Sequence, residues 1–171
     1  MELRRVEQDS VRNLDLVQDL AERIWREHYT PIIGSEQVEY MLGRFQSAPA
    51  IAEQIGNGFV YYLLLHQGAA AGYLAYVPGL WEAGLQLSKL YVLRDYRGKG
   101  LGKAGLEHVQ KDCQQLGLDL IWLTVNKHNQ ASISWYKRMG FAYARSLVTD
   151  IGGGFVMDDY MLQKRVDSRE H

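Results

Sequence analysis

The sequence has 171 residues and a single cysteine, Cys113. No internal disulfide can form, and nothing calls for an oxidising compartment. There are three prolines, Pro31, Pro49 and Pro78, each at an apparent boundary between elements. No repeat, low-complexity tract or Pro/Ser-rich linker divides the chain. Long hydrophobic runs are missing too: the longest, Phe59 to Leu65, is far too short to cross a bilayer. Residues 1–10 lack the apolar stretch of a signal peptide, so the expected location is the cytoplasm, with no membrane partner. Neither sign of charge prevails, since 19 Lys plus Arg against 20 Asp plus Glu give a formal net charge of −1. A general nucleic-acid binder needs a basic surface that displaces counterions, so nucleic acid is not the expected partner. The five histidines are scattered without a pair at ligand spacing, and no metal is expected.

Hydrophobic residues make up 47% of the chain and charged residues 23%, the balance of a globular protein with one sizeable core. One domain over residues 1–164 is expected, followed by a polar, disordered tail, Arg165 to His171. Leu3 to Val6 reads as a short strand. Ser10 is a candidate N-cap for a helix to about Tyr29, whose apolar positions Val11, Leu14, Val17, Leu20, Ala21, Ile24 and Trp25 recur at helical spacing. Helices over Ser35–Phe45 and Ala48–Ile55 follow. Phe59–His66 and Ala70–Val77 are strands joined by a Gln67-Gly68 hairpin turn. Leu85–Leu93 is a strand whose alternation slips near Lys89, as at a bulge. Gly100–Leu116 is helical, Leu120–Val125 is a strand buried on both faces, and Asn129–Met139 is helical. Phe141–Thr149 and Gly154–Lys164 are the last strands. The fold class is α/β (α+β), with a mixed sheet carrying helices.

Chemistry concentrates in Leu90 to Gly105. There a strand ends, glycines stand at positions 98, 100 and 102, and a helix begins. Glycines let the backbone turn sharply and a ligand approach it closely. The N–H groups of a first helical turn attract anions, and Arg97, Lys99 and Lys103 add positive charge there. A P-loop fails on two positions: Ala104 follows Gly102-Lys103, and Arg97 stands where the earlier glycine belongs. A dinucleotide fingerprint matches literally in Gly100-x-Gly102-x-x-Gly105, with Asp119 at about the expected distance. Asp119, however, precedes its strand instead of closing it.

The third reading rests on two ordered motifs. Arg97-Gly98-Lys99-Gly100-Leu101-Gly102 fits Gln/Arg-x-x-Gly-x-Gly/Ala. Asn129, Ser132, Tyr136, Gly140 and Phe141 complete Asn-x-x-Ala/Ser-x-x-x-Tyr-x-x-x-Gly-Phe. Together they resemble the GNAT superfamily of N-acetyltransferases over nearly the whole chain. The resemblance implies a single-domain, mostly antiparallel sheet of about seven strands, splayed between the fourth and fifth, with helices on both faces. It implies acetyl-CoA as cofactor. Main-chain groups of Leu90 and Val92 would pair with the pantetheine arm. The loop Arg97, Gly98, Lys99, Gly100, Leu101, Gly102 and Lys103 would hold the pyrophosphate, and Asn129 would bond the arm. Tyr136 would face the sulfur as general acid in direct transfer to a primary amine. A phenol's reference pKa of about 10 is not far above a thiol's. Tyr136 as core packing and Asn129 as a plain N-cap are the bland alternatives.

Many members of the superfamily carry a glutamate on the strand before the loop. Gln86 and Ser88 stand there instead, which leaves Glu82, His28 and Asp95 as candidate bases. For the acceptor, Trp25, His28, Tyr29, Trp81 and Glu82 are the candidate substrate residues, with Tyr62, Tyr76, Asp158 and Asp159 nearby in the reading. An aromatic set with acids suits a cationic amine. Residues 26–42 and the ending Gly152 to Lys164 look similar to bacterial polyamine acetylases. The other reading is a non-catalytic acyl-CoA-binding sensor module. A homodimer is also expected from the edge strands and the final hairpin.

Overall fold

A computed structural model describes residues 1–79 and 84–167. The candidates Trp81 and Glu82 lie outside the described residues. The elements are β1 (Glu2–Arg5), α1 (Val11–Ile33), α2 (Ser35–Phe45), α3 (Ala48–Gly56), β2 (Val60–His66), β3 (Ala69–Pro78), β4 (Leu85–Val92), a 3-10 turn (Arg94–Tyr96), α4 (Leu101–Gln115), β5 (Leu120–Asn126), α5 (Gln130–Arg138), β6 (Ala142–Gly152) and β7 (Phe155–Arg165). The strands form one mixed sheet in the order β1-β2-β3-β4-β5-β7-β6. The β4–β5 pair is parallel, and the pairs β1–β2, β2–β3, β5–β7 and β6–β7 are antiparallel. This is the expected fold class. The chain forms two compact units, Met1–Val77 with Lys89–Glu107, and Pro78–Ser88 with His108–His171.

In the first unit α1 buries Leu14, Val17, Leu20, Ala21, Ile24 and Trp25, the stripe that the spacing predicts except for Val11, which is 71% exposed at the first residue of the helix. The helix runs past Tyr29 and through Pro31 to Ile33. A proline inside a helix removes one N–H and crowds the carbonyl four residues back; so close to the end, it affects only the last turn. Side chains alternate across a strand, and that places two helices. Tyr73 receives a hydrogen bond from Trp25 of α1, whereas a Cβ built on Gly105 of α4 would meet Leu74 and Leu90 side chains at 3.2 and 3.3 Å. Tyr73 and Leu74 are successive residues on β3, so α1 and α4 cover opposite faces of this unit's strands. Gly105 therefore serves close helix–strand packing.

Polar groups inside this unit are paired in a chain. Trp25 Nε1 donates to Tyr73 Oη at 3.1 Å, and Tyr73 Oη donates to Gln46 Oε1 at 2.7 Å. Gln46 Nε2 donates to Phe45 O at 2.7 Å, and Tyr61 Oη donates to Gln54 Oε1 at 2.5 Å. These bonds join α1, α2, α3, β2 and β3. Burial pushes the Tyr61 phenol up to about 12 and that of Tyr73 well above its usual range, so both act as neutral hydroxyls. The β2–β3 register shifts between Leu64 and Leu65, which leaves Ala71 without a partner opposite on β2. Ala71 O instead accepts from Leu93 N at 2.8 Å.

In the second unit β5 pairs with β7 along its whole length, from Leu120↔Arg165 to Asn126↔Asp159. Its parallel partners on β4 are Leu85↔Ile121 and Gln86↔Trp122 alone among the described residues. Ile121, Trp122 and Leu123 are all buried, as a strand covered on both faces requires. Cys113 of α4 is buried; burial is the main cause that raises its thiol to about 11, and it packs as a small core residue. Arg165 closes β7, and Val166 N donates to Asp119 O at 2.8 Å. Strand structure thus continues past residue 164, where the sequence suggests that the tail begins.

Candidate active site

The loop between β4 and α4 has the geometry its glycines suggest. Arg97, Gly98, Lys99 and Gly100 are exposed. Gly98 and Gly100 take φ of 78° and 81°, a region in which a side chain is strained. A Cβ at either would meet nothing within 4 Å, so it is the turn, not crowding, that selects glycine. Leu101 is buried and anchors the first turn of α4. The leading N–H groups of a helix have no intrahelical acceptor, which leaves those of Leu101, Gly102 and Lys103 to an outside partner. Arg97 Nε donates to Val92 O at 3.1 Å and so ties the loop to the end of β4. These residues fit a diphosphate: amides at a helix start, room beside the glycines, and three exposed cations in Arg97, Lys99 and Lys103. Leu90 and Val92 are half-buried on β4.

The second motif builds α5. Asn129 is buried and caps the helix, its Oδ1 accepting from Ser132 N at 3.4 Å. Tyr136 lies half-buried on that helix, edge-on to Trp135 and Phe141 at centroid distances of 5.1 and 5.4 Å. Phe141 is buried, and its N–H donates to Tyr136 O at 3.0 Å. Asn129 starts the helix, Gly140 lets it end, and Phe141 wedges the tyrosine's ring.

Among the acceptor-side candidates, Trp25 is only 3% exposed and uses its N–H internally. It supports its neighbours: Tyr29 and Tyr91 pack on it at 5.3 and 5.7 Å. Tyr29 Oη and Tyr91 Oη share a hydrogen bond at 3.0 Å, and His28 stands edge-on to Tyr29 at 4.8 Å. These side chains are half-buried. Asp95 is exposed in the 3-10 turn, where Arg94 pairs with Glu27 at 2.8 Å.

Two further groups carry unusual electrostatics. Lys89 is half-buried on β4, and desolvation lowers its ammonium to about 8. A lysine set between Leu87 and Tyr91 in an apolar strand was a readable signal, a local charge against the pattern. In the second unit Asp159 is 3% exposed, and its carboxyl is raised to about 6 by burial and then by the charge of Asp158. Lys127 pairs with that neighbour, Asp158, at 2.7 Å.

The sequence profile of the acetyltransferase (GNAT) family matches residues 17–141. The chain belongs to this family. Streptothricin acetyltransferase of Streptomyces lavendulae is 33% identical over 76 residues, 44% of this chain and 40% of that protein. The ribosomal protein bS18-alanine N-acetyltransferase of Escherichia coli is 32% identical over 95 residues, 56% of this chain and 63% of that protein. The chain thus spans less than two thirds of the length of these curated relatives. Among solved structures, the PaiA N-acetyltransferase of Thermoplasma acidophilum in complex with coenzyme A superimposes with a TM-score of 0.78 at 20% identity. It covers 96% of this chain and 98% of that one. In this chain the glycine loop follows the fourth strand and the tyrosine helix follows the fifth.

Proposed function

We propose that residues 1–164 act as one catalytic domain that transfers the acetyl group of acetyl-CoA to a primary amine. The observation that carries this reading is the exposed Arg97–Lys103 loop, with its positive-φ glycines and its free helix start, in one chain with the Asn129-capped helix of Tyr136. Acetyl-CoA, when bound, supplies an activated thioester. The loop amides with Arg97, Lys99 and Lys103 hold its pyrophosphate. Main-chain groups of Leu90 and Val92 pair with the pantetheine arm, and Asn129 bonds it while capping α5. Val92 O is held by Arg97, so the Val92 N–H is the group assigned to polarise the thioester carbonyl. As the amine nitrogen bonds the acetyl carbon and the C–S bond breaks, Tyr136 would give its proton to the departing sulfur, and the proton released by the nitrogen would restore the phenol. Positioning supplies much of the rate.

The acceptor we assign is a small, cationic, polyamine-like amine. Tyr29, Tyr91 and His28 offer aromatic surface for it, Trp25 supports them from beneath, and Trp81 and Glu82 complete the candidate set. The protein works in a reducing compartment, the cytoplasm, where a lone buried thiol is stable. The exposed strand β6, with Tyr143 and Val148 outward, supports a homodimer through that edge; light scattering should return twice the chain mass.

The test is calorimetric titration of acetyl-CoA, with NADH as control. Acetyl-CoA binds and NADH does not. Gly100→Val weakens binding at least tenfold, and Tyr136→Phe leaves binding intact while lowering turnover. Binding of NADH instead overturns the reading. The non-catalytic alternative is favoured by Gln86 and Ser88 on β4, and steady CoA release with any amine ends it.

A further inference from the structure

The carboxyl of Asp159 has no hydrogen bond or ion pair among the described residues. The residue is almost wholly removed from solvent. A buried carboxylate is ordinarily paired, because leaving its charge unmet is costly. A cation is at hand: Lys127 follows Asn126, the residue opposite Asp159, yet its ammonium pairs with Asp158. The register explains why. Asn126↔Asp159 and Leu147↔Asp159 are direct partners, and directly opposed residues share a face of the sheet. Asp159 therefore stands with the neutral side chains of Asn126 and Leu147, while Asp158 points to the other face. Asp158 Oδ1 is itself buried without a partner. Asp158 is the one charged group that acts on Asp159 among the described residues, and it repels.

The place of this carboxyl in the fold is specific. The chain leaves β5 at Asn126, opposite Asp159, and Asn129 then caps the helix that carries Tyr136. Lys127 N donates to Asp158 O at 3.2 Å and fixes this turn to β7. The unmet charge thus sits at the end of β5 from which the tyrosine helix starts. We propose that Asp159 is the anion that receives the acceptor's ammonium group, so that the cation it lacks among the described residues is provided by the substrate. This rests on the acetyltransferase reading above. It narrows the acceptor to amines that bring a positive charge, either the reacting nitrogen before it loses its proton or a second ammonium on the same molecule.

The test uses the full chain with saturating acetyl-CoA and three probes: spermidine, n-butylamine and an alanine-leading peptide. A hydrogen-bonded charge contact removed from a closed site raises the acceptor KM about 10- to 100-fold. Asp159→Asn is expected to do this while the acetyl-CoA affinity stays within twofold, and Asp159→Glu to restore part of the loss. In the unaltered protein the acceptor KM rises as pH falls through about 6, with the amines protonated throughout. That second readout needs no variant and survives a substitution that fails to fold. An unchanged acceptor KM in Asp159→Asn, or a flat KM between pH 5 and pH 7, overturns the assignment. So does a protein that binds acetyl-CoA and acetylates none of the three amines. Failure of acetyl-CoA to bind at all removes the acetyltransferase reading first, and this inference with it.

Discussion

Asp159→Asn also makes a stability experiment whose sign is fixed without any knowledge of the substrate. The carboxyl is raised from its ordinary 3.8 to about 6, a change of about two units, and each unit corresponds to about 1.36 kcal/mol. Ionised Asp159 therefore costs the fold up to about 3 kcal/mol. The direction follows from proton counts. Between pH 4 and pH 6 the unfolded chain has released this proton while the folded chain still holds it. The folded state binds more protons there, so stability falls as pH rises through that window. Above about pH 6 the cost is constant, and below about pH 4 it is absent. Asparagine has nearly the same shape and no charge, but its amide has unmet hydrogen bonds of its own, about 1–2 kcal/mol. The variant should thus be more stable than the parent by about 1–2 kcal/mol at pH 8, and less stable by a similar amount at pH 4. Urea unfolding followed by tryptophan fluorescence at pH 4, 6 and 8 measures this, and other titrating groups cancel in the difference between the two proteins. An equal stability difference at pH 4 and pH 8, or a variant clearly weaker at pH 8, would show that Asp159 is not an unpaired buried charge.

Three other substitutions test the frame around the site. A Cβ at Gly72 would lie 2.3 Å from the carbonyl oxygen of Tyr91, a backbone atom that cannot move alone, so Gly72→Ala should destabilise by about 2 kcal/mol or more, or about 4–8 °C in Tm for a chain of this size. Tyr73→Phe strands the Trp25 N–H and the Gln46 oxygen in the interior; a loss of about 2–4 kcal/mol in denaturant unfolding is expected, and a loss below about 0.5 kcal/mol would mean that the network relaxes around the gap. The ion pair of Arg26 with Glu39, 2.7 Å at Nε–Oε1, is exposed at both ends, so Arg26→Ala should change stability by less than about 1 kcal/mol, as thermal melting would report.

The parts that were legible in the sequence are those whose cause is local. A glycine loop before a helix, an asparagine cap and a Gly-Phe stop act within a few residues, and they stand at the expected positions. Helix α1 announced its buried face through spacing alone, but its end did not follow from Pro31, which lies inside the last turns of a helix that runs on to Ile33 although propensity would place a proline at a boundary. Trp25 illustrates the limit. As an aromatic residue on the acceptor side of the reading it looks like a contact for substrate, yet the hydroxyl that holds its N–H comes from Tyr73, 48 positions away. Periodicity shows which side of a helix is apolar and says nothing of which polar atom will lie beneath it.

Asp159 shows the same limit from the opposite side. In the row Val156-Met157-Asp158-Asp159-Tyr160 the two acids read alike, and a solvated pair is the simpler expectation. What separates them is the pairing of β7 with β5, which sets Asp158 beside Lys127 and Asp159 beside Asn126. One strand register thus gives two adjacent carboxylates different fates, one paired with a lysine and one buried with no partner among the described residues. The first unit of the molecule meets its buried hydroxyls and amides one by one, from Trp25 to Gln54. At the end of β5, by contrast, the charged group that acts on the buried Asp159 among the described residues is Asp158, and it repels. In the role proposed for Asp159, a cationic amine would remove the energetic cost that burial of this carboxylate imposes.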